Sequence, residues 1–542
     1  MRARRAAAVA GRADGARDRA PDGRDWAETA LDTEARIIPW TLRDSLLVAA
    51  AVLLTWGASL AGPFHFDDYS LLADPAVASP DGWKQMGRAA QTRPLTYLTF
   101  WLNYQIGGSG PAGYHAVNLA LHLAVALRLR AVLARLLPAR TAALAALLFA
   151  VHPIQSEAVN YIFARAILLA ALLCVEALGW WLRGRQWSAV AAFAGALLAK
   201  EECAAFPLLL ALLQVSLARG RRAWRPIGVM LALSLAAGLR VLYALAAGRV
   251  EGAGATAGIS ALDYFWTQGV VIWRYLRLLA LPWGFSVDPP VEPASAGVGL
   301  AAWLALAAAS TPLAARRFAQ AREGFWWIAG LVLLLPSSSV FPAADLAADR
   351  RVYLPLLAWA PAAALWLARW RTAFLAPLVL LWVMLGMGRT AVWNDGRALW
   401  EEAAAQAPRK VRPKLQLARH LPPAQALALL AEAERLAPRD PAIATEQGRA
   451  WLAANQPAQA LAAFGRALAL EPGNARYRSN RGVALSLLGQ TDAAARDFES
   501  ALKSDPCLFD AHLNLKRLGR SAAPPADCRW TAPQRAAFEQ SP

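Results

Sequence analysis

Charged residues are scarce in this chain of 542 amino acids. Asp, Glu, Lys and Arg together make up 17% of it, whereas hydrophobic residues make up 57%. A soluble protein usually carries about 25% charged residues, so the composition excludes an ordinary soluble domain and indicates a membrane protein. Cysteine is also scarce, with four residues and no metal-ligand spacing. Cys174 and Cys203 lie in apolar runs, where we expect small core residues.

Acidic residues are fewer than basic ones, 38 against 56, which gives a formal net charge of +18. The basic surplus lies in residues 1–43 and in short clusters between apolar runs, the pattern that sets membrane topology. We interpret residues 1–43 as a disordered, basic cytoplasmic tail. This pattern is not that of a nucleic-acid groove, and no nucleic-acid partner is expected.

Apolar runs recur along residues 44–389 and predict an all-α, polytopic membrane helix bundle, although several runs are shorter than the usual ~20 residues. Eleven runs are interpreted as crossings: 45–61, 112–129, 141–151, 164–182, 187–199, 203–217, 227–245, 298–315, 324–336, 352–368 and 372–388.

One further apolar run, 264–281, is interrupted by Arg274 and Arg277. The Arg clusters at 219–225 and 316–322 should both be cytoplasmic, so an even number of crossings must separate them. Two runs already supply that number, so segment 264–281 should lie along the membrane surface with both arginines facing water. The N-terminus is then inside, and the first loop and the C-terminus share the external compartment.

A 34-residue period appears near the C-terminus, which is the tetratricopeptide repeat length. Small residues let two helices approach closely, a Phe fills their crossing, and a Pro ends the second helix. Five pairs of positions carry the period: Gly448/Gly482, Ala460/Ala494, Phe464/Phe498, Ala467/Ala501 and Pro472/Pro506.

The period predicts a helical solenoid over residues 407–520, preceded by a linker helix over 390–406. We expect 510–518 to be a capping helix and 521–542 to be a loose tail. Arrays of this kind present a concave groove to other proteins. The repeats around Gly448, Phe464, Gly482 and Phe498 are therefore the predicted protein-binding part.

The first external loop, residues 62–111, contains two adjacent acids among aromatic residues, in the stretch PFHFDDYSLLADP. Asp67 and Asp68 are candidates for catalysis, since a carboxylate can serve as a general base. The alternative is that one of them caps the N-terminus of a short helix. The residues alone leave both readings open. If the acids are catalytic, an Asn at either position is expected to abolish activity while expression stays near wild type.

Cationic and polar side chains gather at the predicted external ends of the apolar runs. A single residue of this kind at the end of a span usually extends its side chain to the lipid headgroups. Together on one face they suit a site that holds a lipid-linked phosphate and activates a hydroxyl. The candidates for this site are Arg93, His115, His152, Glu157, Arg165, Lys200, Arg350 and Arg351.

The order FDDYSLLADP, RPLTYLTFWLNY, GYHAVNLALH, LLFAVHPIQSEAVNYIFAR, AKEEC and RRVYLP, followed by tetratricopeptide repeats, resembles the transmembrane and tetratricopeptide repeat-containing proteins. These are GT-C glycosyltransferases, similar to the protein O-mannosyltransferases. The resemblance implies transfer of a sugar, often mannose, from a polyprenyl-phosphate donor to Ser or Thr of a protein. It also implies a catalytic role for Asp67 and Asp68, eleven spans and an external C-terminus.

The family usually has Gly-Arg-Ala-Asp where this chain has Ala164, Arg165, Ala166 and Ile167. This departure favours an alternative reading, a non-catalytic membrane scaffold that recruits envelope proteins through its repeats. A third reading keeps the enzyme and makes its acceptor a lipid or a glycan. In the leading reading no metal or cofactor is expected, because side-chain cations match the phosphate of the donor.

The Ala- and Arg-rich composition is typical of a high-GC bacterium, which would make the donor lipid undecaprenyl phosphate. The protein would then lie in the inner membrane with its first loop and repeats in the periplasm. Cys507 and Cys528 lie beyond the last span, where an oxidising compartment would favour a disulfide. Two free thiols are the alternative.

Overall fold

The computed structural model describes residues 42–88, 91–217, 223–247, 258–520, 523–525, 528 and 530–541. Helices dominate these residues and no extended β-strand occurs among them, which confirms the all-α prediction. Most of the predicted basic tail, residues 1–41, lies outside the described residues, as do Arg219, Arg221 and Arg222.

The N-terminal part, as far as it is described, is a bundle of sixteen helices, several of which begin with a residue suited to that position. Pro94 and Pro111 occupy first helical positions, where a missing N–H is tolerated. The helices are α1 Leu42–Trp56, α2 Asp67–Ala73, α3 Pro75–Ala78, α4 Pro94–Gly107, α5 Pro111–Leu133, α6 Ala139–Val151, α7 Ser156–Asn160, α8 Arg165–Leu182, α9 Gln186–Ala199, α10 Phe206–Leu217, α11 Trp224–Ala246, α12 Ala261–Ala280, α13 Ala296–Arg317, α14 Glu323–Leu334, α15 Tyr353–Leu367 and α16 Thr372–Trp393.

Within the described residues, five helices are long and apolar enough to cross a membrane: α5, α8, α11, α13 and α16. A sixth candidate joins α6 to 153–160 across a 48° bend. The predicted count of eleven crossings remains a prediction, because the other candidates are shorter than a usual span. Close packing still reaches them: a Cβ at Gly330 of α14 would lie 2.1 Å from the indole nitrogen of Trp359 on α15.

One end of the bundle carries the functional loops, and we call it the acidic end because Asp67 and Asp68 lie there. The start of α4 meets the end of α9, since Thr96 Oγ1 donates to the carbonyl of Ala199 at 2.8 Å. The loop before α15 meets α7, since the backbone N–H of Arg350 donates to Glu157 at 2.9 Å. The external ends that the charge pattern predicted are thus together in space.

Helix α12 lies across the acidic end. Near its start the Tyr264 hydroxyl donates to Ser337, and eleven residues later the Tyr275 hydroxyl donates to Ala348, at 2.7 and 3.1 Å. Both contacts are to the same loop between α14 and α15, which agrees with a segment that does not cross. The prediction for Arg274 is wrong, because Arg274 does not face water but pairs with buried Asp349 at 2.5 Å. Arg277 is exposed.

The C-terminal part is an array of antiparallel helix pairs, as the 34-residue period predicts. Phe464 and Phe498 are buried at the crossings of two such pairs, opposite Gly448 and Gly482. The helices are α17 Gly396–Gln406, α18 Val411–Ala418, α19 Pro423–Leu436, α20 Pro441–Ala453, α21 Pro457–Leu470, α22 Ala475–Leu487, α23 Thr491–Ser504, α24 Phe509–Arg517 and α25 Ala532–Gln540.

Two expectations about this part need correction. Helix α17, expected as a linker, packs against α18 and belongs to the array, because Trp400 and Ala403 are buried with Leu417. The tail is not loose, because α25 forms behind a capping box at Thr531. Cys507 and Cys528 are joined in the disulfide that the sequence favoured, with their Cα atoms 5.2 Å apart.

Candidate functional site

Helix α2 begins with the two acids, and its start is set by an unusual backbone. Phe66, the residue before it, has φ 45° and ψ −113°, which a non-glycine residue rarely adopts. Phe66 rather than an aspartate is the N-cap, and no side chain caps the helix. The capping alternative therefore does not describe this helix: Asp67 and Asp68 occupy its first turn, where carboxylates also suit the helix dipole.

Asp68 is completely buried and is bound on both oxygens. Its Oδ2 accepts from the backbone N–H of His65 at 2.9 Å, and its Oδ1 accepts from the N–H of Phe163 at 2.8 Å. Burial raises the pKa of Asp68 to about 7, although these two hydrogen bonds oppose the shift. Asp68 thus ties the loop to the segment before α8 and is closed to an acceptor.

Asp67 is exposed, in contrast to its neighbour. The hydroxyl of Tyr161 donates to Asp67 Oδ2 at 2.8 Å and accepts from the Asp67 backbone N–H at 3.2 Å. Burial and the nearby charge of Asp67 raise the pKa of Tyr161, so this hydroxyl stays protonated and fixes the carboxylate. Asp67 is therefore the accessible and oriented acid of the pair.

Three predicted cations lie at the acidic end in ion pairs. Arg93 binds Glu201 through two nitrogens at 3.0 and 2.6 Å. Lys200 pairs with Glu202 at 3.0 Å. The burial of Glu201 would raise the pKa of that carboxyl, but the charge of Arg93 lowers it to about 2. These pairs hold both cations in place.

Arg350 is the third cation, and its guanidinium and its backbone N–H both donate to the carboxylate of Glu157. Asp345 also approaches Arg350, at 3.5 Å. Arg350 and Arg93 each keep 26% of their side chain exposed, so both can be reached by a ligand. The backbone carbonyl of Glu157 also accepts the N–H of Tyr161 at 3.1 Å, which links the partner of Arg350 to the tyrosine that holds Asp67.

Arg165 is turned into the protein rather than toward a ligand. It is fully buried, stacks over Phe100 at 4.3 Å, and donates to Asn118, Thr99 and Tyr114 at 3.0 to 3.2 Å. These contacts tie α8 to α4 and α5.

The remaining candidates are also buried, and their contacts are internal. His152 accepts from the N–H of Ile154 and contacts the Leu279 carbonyl, so it stabilises the bend after α6. Arg351 donates to the carbonyls of Asp345 and Leu346 and to Tyr264. His115 lies against Gly62 at the base of the first loop. These buried residues hold the segments around the site in place through internal contacts.

Sequence reasoning missed Tyr161 and Asp345. Tyr161 lies in the quoted stretch SEAVNYI, but a tyrosine within an apolar run gives no ionic signal. Asp345 precedes the RRVYLP motif by several residues and becomes important only because its carboxylate joins Arg350 to Arg412 of the repeats. Among the described residues, no group of three or more His, Cys, Asp or Glu side chains could hold a metal ion.

In the repeats, the four residues named from the period are structural. A Cβ at Gly448 would lie 2.4 Å from the Phe464 ring, and one at Gly482 would lie 2.7 Å from the Phe498 ring. They set the distance between paired helices and are not surface contacts. A protein partner of the array would meet neighbouring residues instead.

No protein-family model matches the sequence. Over 147 residues the chain is 34% identical to "Protein O-mannosyl-transferase TMTC3" of Mus musculus, and over 145 residues it is 39% identical to "Protein O-mannosyl-transferase TMTC1" of Homo sapiens. Each alignment covers 16% of the relative and 24% and 23% of this chain. The chain thus spans less than a quarter of these relatives, and the resemblance read from the motifs is confirmed over that segment.

Two solved structures overlap larger parts of the chain at low similarity. ArnT from Cupriavidus metallidurans, bound to undecaprenyl phosphate, is 12% identical with a TM-score of 0.38, over 84% of this chain and 79% of its own. The tetratricopeptide protein TTC0263 of Thermus thermophilus is 21% identical with a TM-score of 0.22, over 29% of this chain and 89% of its own. Superpositions this loose carry no conclusion about function.

Proposed function

We propose that this protein is a membrane glycosyltransferase that moves a sugar from a polyprenyl-phosphate donor to Ser or Thr hydroxyls of proteins. The observation that carries the proposal is the division of the acid pair: Asp67 is exposed and oriented by Tyr161, whereas Asp68 is buried. A reachable carboxylate at the same end of the bundle as the partly exposed Arg93 and Arg350 suits transfer from a phosphate leaving group to a hydroxyl. The names of the similar curated proteins support mannose as the sugar.

In this mechanism the acceptor oxygen attacks the anomeric carbon while its proton passes to Asp67. The bond between that carbon and the phosphate oxygen breaks, and the polyprenyl phosphate leaves with the bonding electron pair. Attack from the face opposite the leaving group inverts the anomeric centre. A hydroxyl ionises far above neutral pH, so a base within ~3 Å of its proton is needed. Asp67 supplies that base.

The leaving phosphate gains negative charge as the bond breaks, and fixed cations stabilise that charge better than mobile water does. Arg93 and Arg350 are the candidates, because each is held by a carboxylate and is partly exposed, whereas Lys200 is buried in its pair with Glu202. Arg165, Arg351, His115 and His152 hold the loops that carry these groups. Because cationic side chains stabilise the charge of the phosphate, the proposal needs no metal ion.

The acceptor is a protein in this proposal, because the helical array continues directly from the acidic end. The chain leaves α16 beside the first loop, where the carbonyl of Trp393 contacts His65 at 2.7 Å. The repeats and the acids therefore lie on one side of the membrane, which for a bacterial inner membrane is the periplasm. A lipid or glycan acceptor would need no such array.

The test uses the full-length protein in detergent with undecaprenyl-phosphate-linked radioactive mannose and extracted envelope proteins as acceptors. Label should pass to protein, and Asp67→Asn should lower the rate by about 10²- to 10⁴-fold. Glycan mass spectrometry on envelope proteins from cells with and without the protein gives a second readout. A scaffold predicts no transfer in the first assay and unchanged glycans in the second.

A further inference from the structure

A cleft of about 410 Å³ opens where the helical array meets two loops of the bundle. One wall is the segment that contains Asp288 and Glu292, a second is the segment 344–347 before the RRVYLP motif, and the third is Lys410–Arg412 at the start of α18. This volume falls within the ~300–1,000 Å³ of typical ligand sites. The residues named from the sequence as site candidates do not include these walls.

The cleft and the candidate site have one side chain in common. Asp345 lines the cleft and uses its two oxygens in different directions. Oδ1 accepts from Arg412 of the array at 2.7 Å, and Oδ2 lies 3.5 Å from Arg350. An occupant of the cleft would therefore lie next to the cation that we assign to the donor phosphate.

The cleft also lies at the start of α18, the second helix of the array. Lys410 and Arg412 flank the start of α18, and Lys410 is anchored to the bundle by Asp288 at 2.8 Å. Helical arrays of this type bind extended chains along their concave surface. In chain order the cleft lies between the later repeats and α17, and a tryptophan of α17 packs against Phe66, the residue before Asp67.

The charges that line the cleft favour a cationic occupant over a phosphate. Three carboxylates, Asp288, Glu292 and Asp345, face two cations, Lys410 and Arg412. Both cations are already paired with Asp288 or Asp345. Glu292 is exposed and makes no hydrogen bond or ion pair with any part of the chain that the structure describes. The cleft therefore offers a free carboxylate to a positively charged side chain.

We propose that this cleft binds an extended, basic segment of the acceptor polypeptide and delivers the adjoining Ser or Thr to Asp67. Val291 and Leu346 provide apolar walls, and Glu292 pairs with a Lys or Arg of the acceptor. The inference rests on the proposed function, because that function makes Asp67 the site to which the acceptor is delivered. Binding in the cleft, however, can be measured without any sugar transfer.

The experiment places a photo-crosslinking amino acid at Val291 of the full-length protein and offers two fluorescent peptides. The peptides share one Ser/Thr core and are flanked either by lysines or by glutamates. The lysine peptide should be labelled at least about fivefold more strongly, and Glu292→Lys should reverse the preference. Glu499→Lys, a matched change at an exposed position of α23, should leave the preference intact.

Equal labelling of the two peptides, no labelling of either, or a preference unchanged by Glu292→Lys would overturn the proposal. Competition by undecaprenyl phosphate without competition by unlabelled lysine peptide would also overturn it and identify a lipid site. The crosslinking is repeated without donor and in Asp67→Asn. Crosslinking that persists while transfer is absent from the wild type would refute the proposed function and leave the cleft assignment standing.

Discussion

The ring of Phe66 packs edge to face against the indole of Trp400, with their centroids 5.3 Å apart and their planes at 81°. Phe66 immediately precedes Asp67 and adopts a positive φ, and Trp400 belongs to α17, the first helix of the array. Tyr161 and Trp393 contact the same phenyl ring. The array therefore supports the loop that carries the acids, so the two parts of the chain form one functional unit.

The first prediction concerns Asp67. Asp67→Asn keeps the volume of the side chain and removes the proton acceptor, so sugar transfer should fall by about 10²- to 10⁴-fold while thermal unfolding stays unchanged. Asp81→Asn is the matched control, because Asp81 is an exposed carboxylate in the same loop. If both variants transfer sugar at the same rate in the radioactive assay, Asp67 is not the general base.

The second prediction separates Asp68 from Asp67. Asp68 accepts a backbone N–H on each oxygen, and the amide nitrogen of Asn would face one of these donors. Asp68→Asn should therefore destabilise the protein by about 1–3 kcal/mol. This revises the expectation that Asn at position 68 leaves expression near wild type. Thermal unfolding in detergent measures the effect, and a melting temperature equal to wild type would contradict it.

The third prediction concerns pH. The pKa of Asp68 is raised to about 7 in the fold, above its ordinary value of 3.8, so the folded state binds more protons than the unfolded state between these values. The stabilisation from Asp68 is complete below about pH 4 and is lost as pH rises through 7. Buried His65, whose pKa is lowered by desolvation, has the opposite effect.

The pH effect is therefore measured as a difference between two proteins. Unfolding temperatures of wild type and Asp68→Asn are compared from pH 5 to pH 8, which cancels the contribution of the histidines. The advantage of wild type should shrink as the pH rises. A constant or growing advantage would show that Asp68 is not the titrating group.

The fourth prediction tests Trp400. Trp400→Ala removes the indole from the Phe66 ring, so α2 should exchange backbone hydrogens faster and kcat should fall at least about tenfold with little change in KM for the donor. Trp400→Phe should restore most of kcat, because a second ring can fill the contact. Trp451→Ala, in helix α20 of the array, is the control. Similar losses from Trp400→Ala and Trp451→Ala would indicate general unfolding.

The fifth prediction concerns the disulfide between Cys507 and Cys528. Closing a segment of 21 residues stabilises the end of the array by about 3 kcal/mol in the chain-entropy estimate. Alkylation without reductant should add no label to these two residues, and Cys507→Ser should lower the temperature at which α24 and α25 become protease-sensitive. Labels mapped to Cys507 and Cys528 in the unreduced protein would show that these two thiols are free.

The helices and the repeats follow from local sequence, which is why they could be predicted. An apolar run indicates a buried or membrane-embedded helix, and a Gly and a Phe at a fixed spacing indicate a helix crossing. The assignment of the acid pair to the first loop follows from the same kind of local signal. The tail over 521–542 escaped prediction because α25 depends on Trp530 packing against Phe509 and Phe538, contacts that composition does not reveal.

The roles within the site were decided by the tertiary structure. Asp67 and Asp68 are chemically identical neighbours, but consecutive helical positions point about 100° apart, so one faces solvent and the other the backbone of Phe163. Arg165 and Arg350 likewise carry the same group, and only packing buries one against Phe100 and leaves the other partly open beside Glu157. A sequence names the ionisable groups of a site, whereas burial and partners across the fold determine which of them can react.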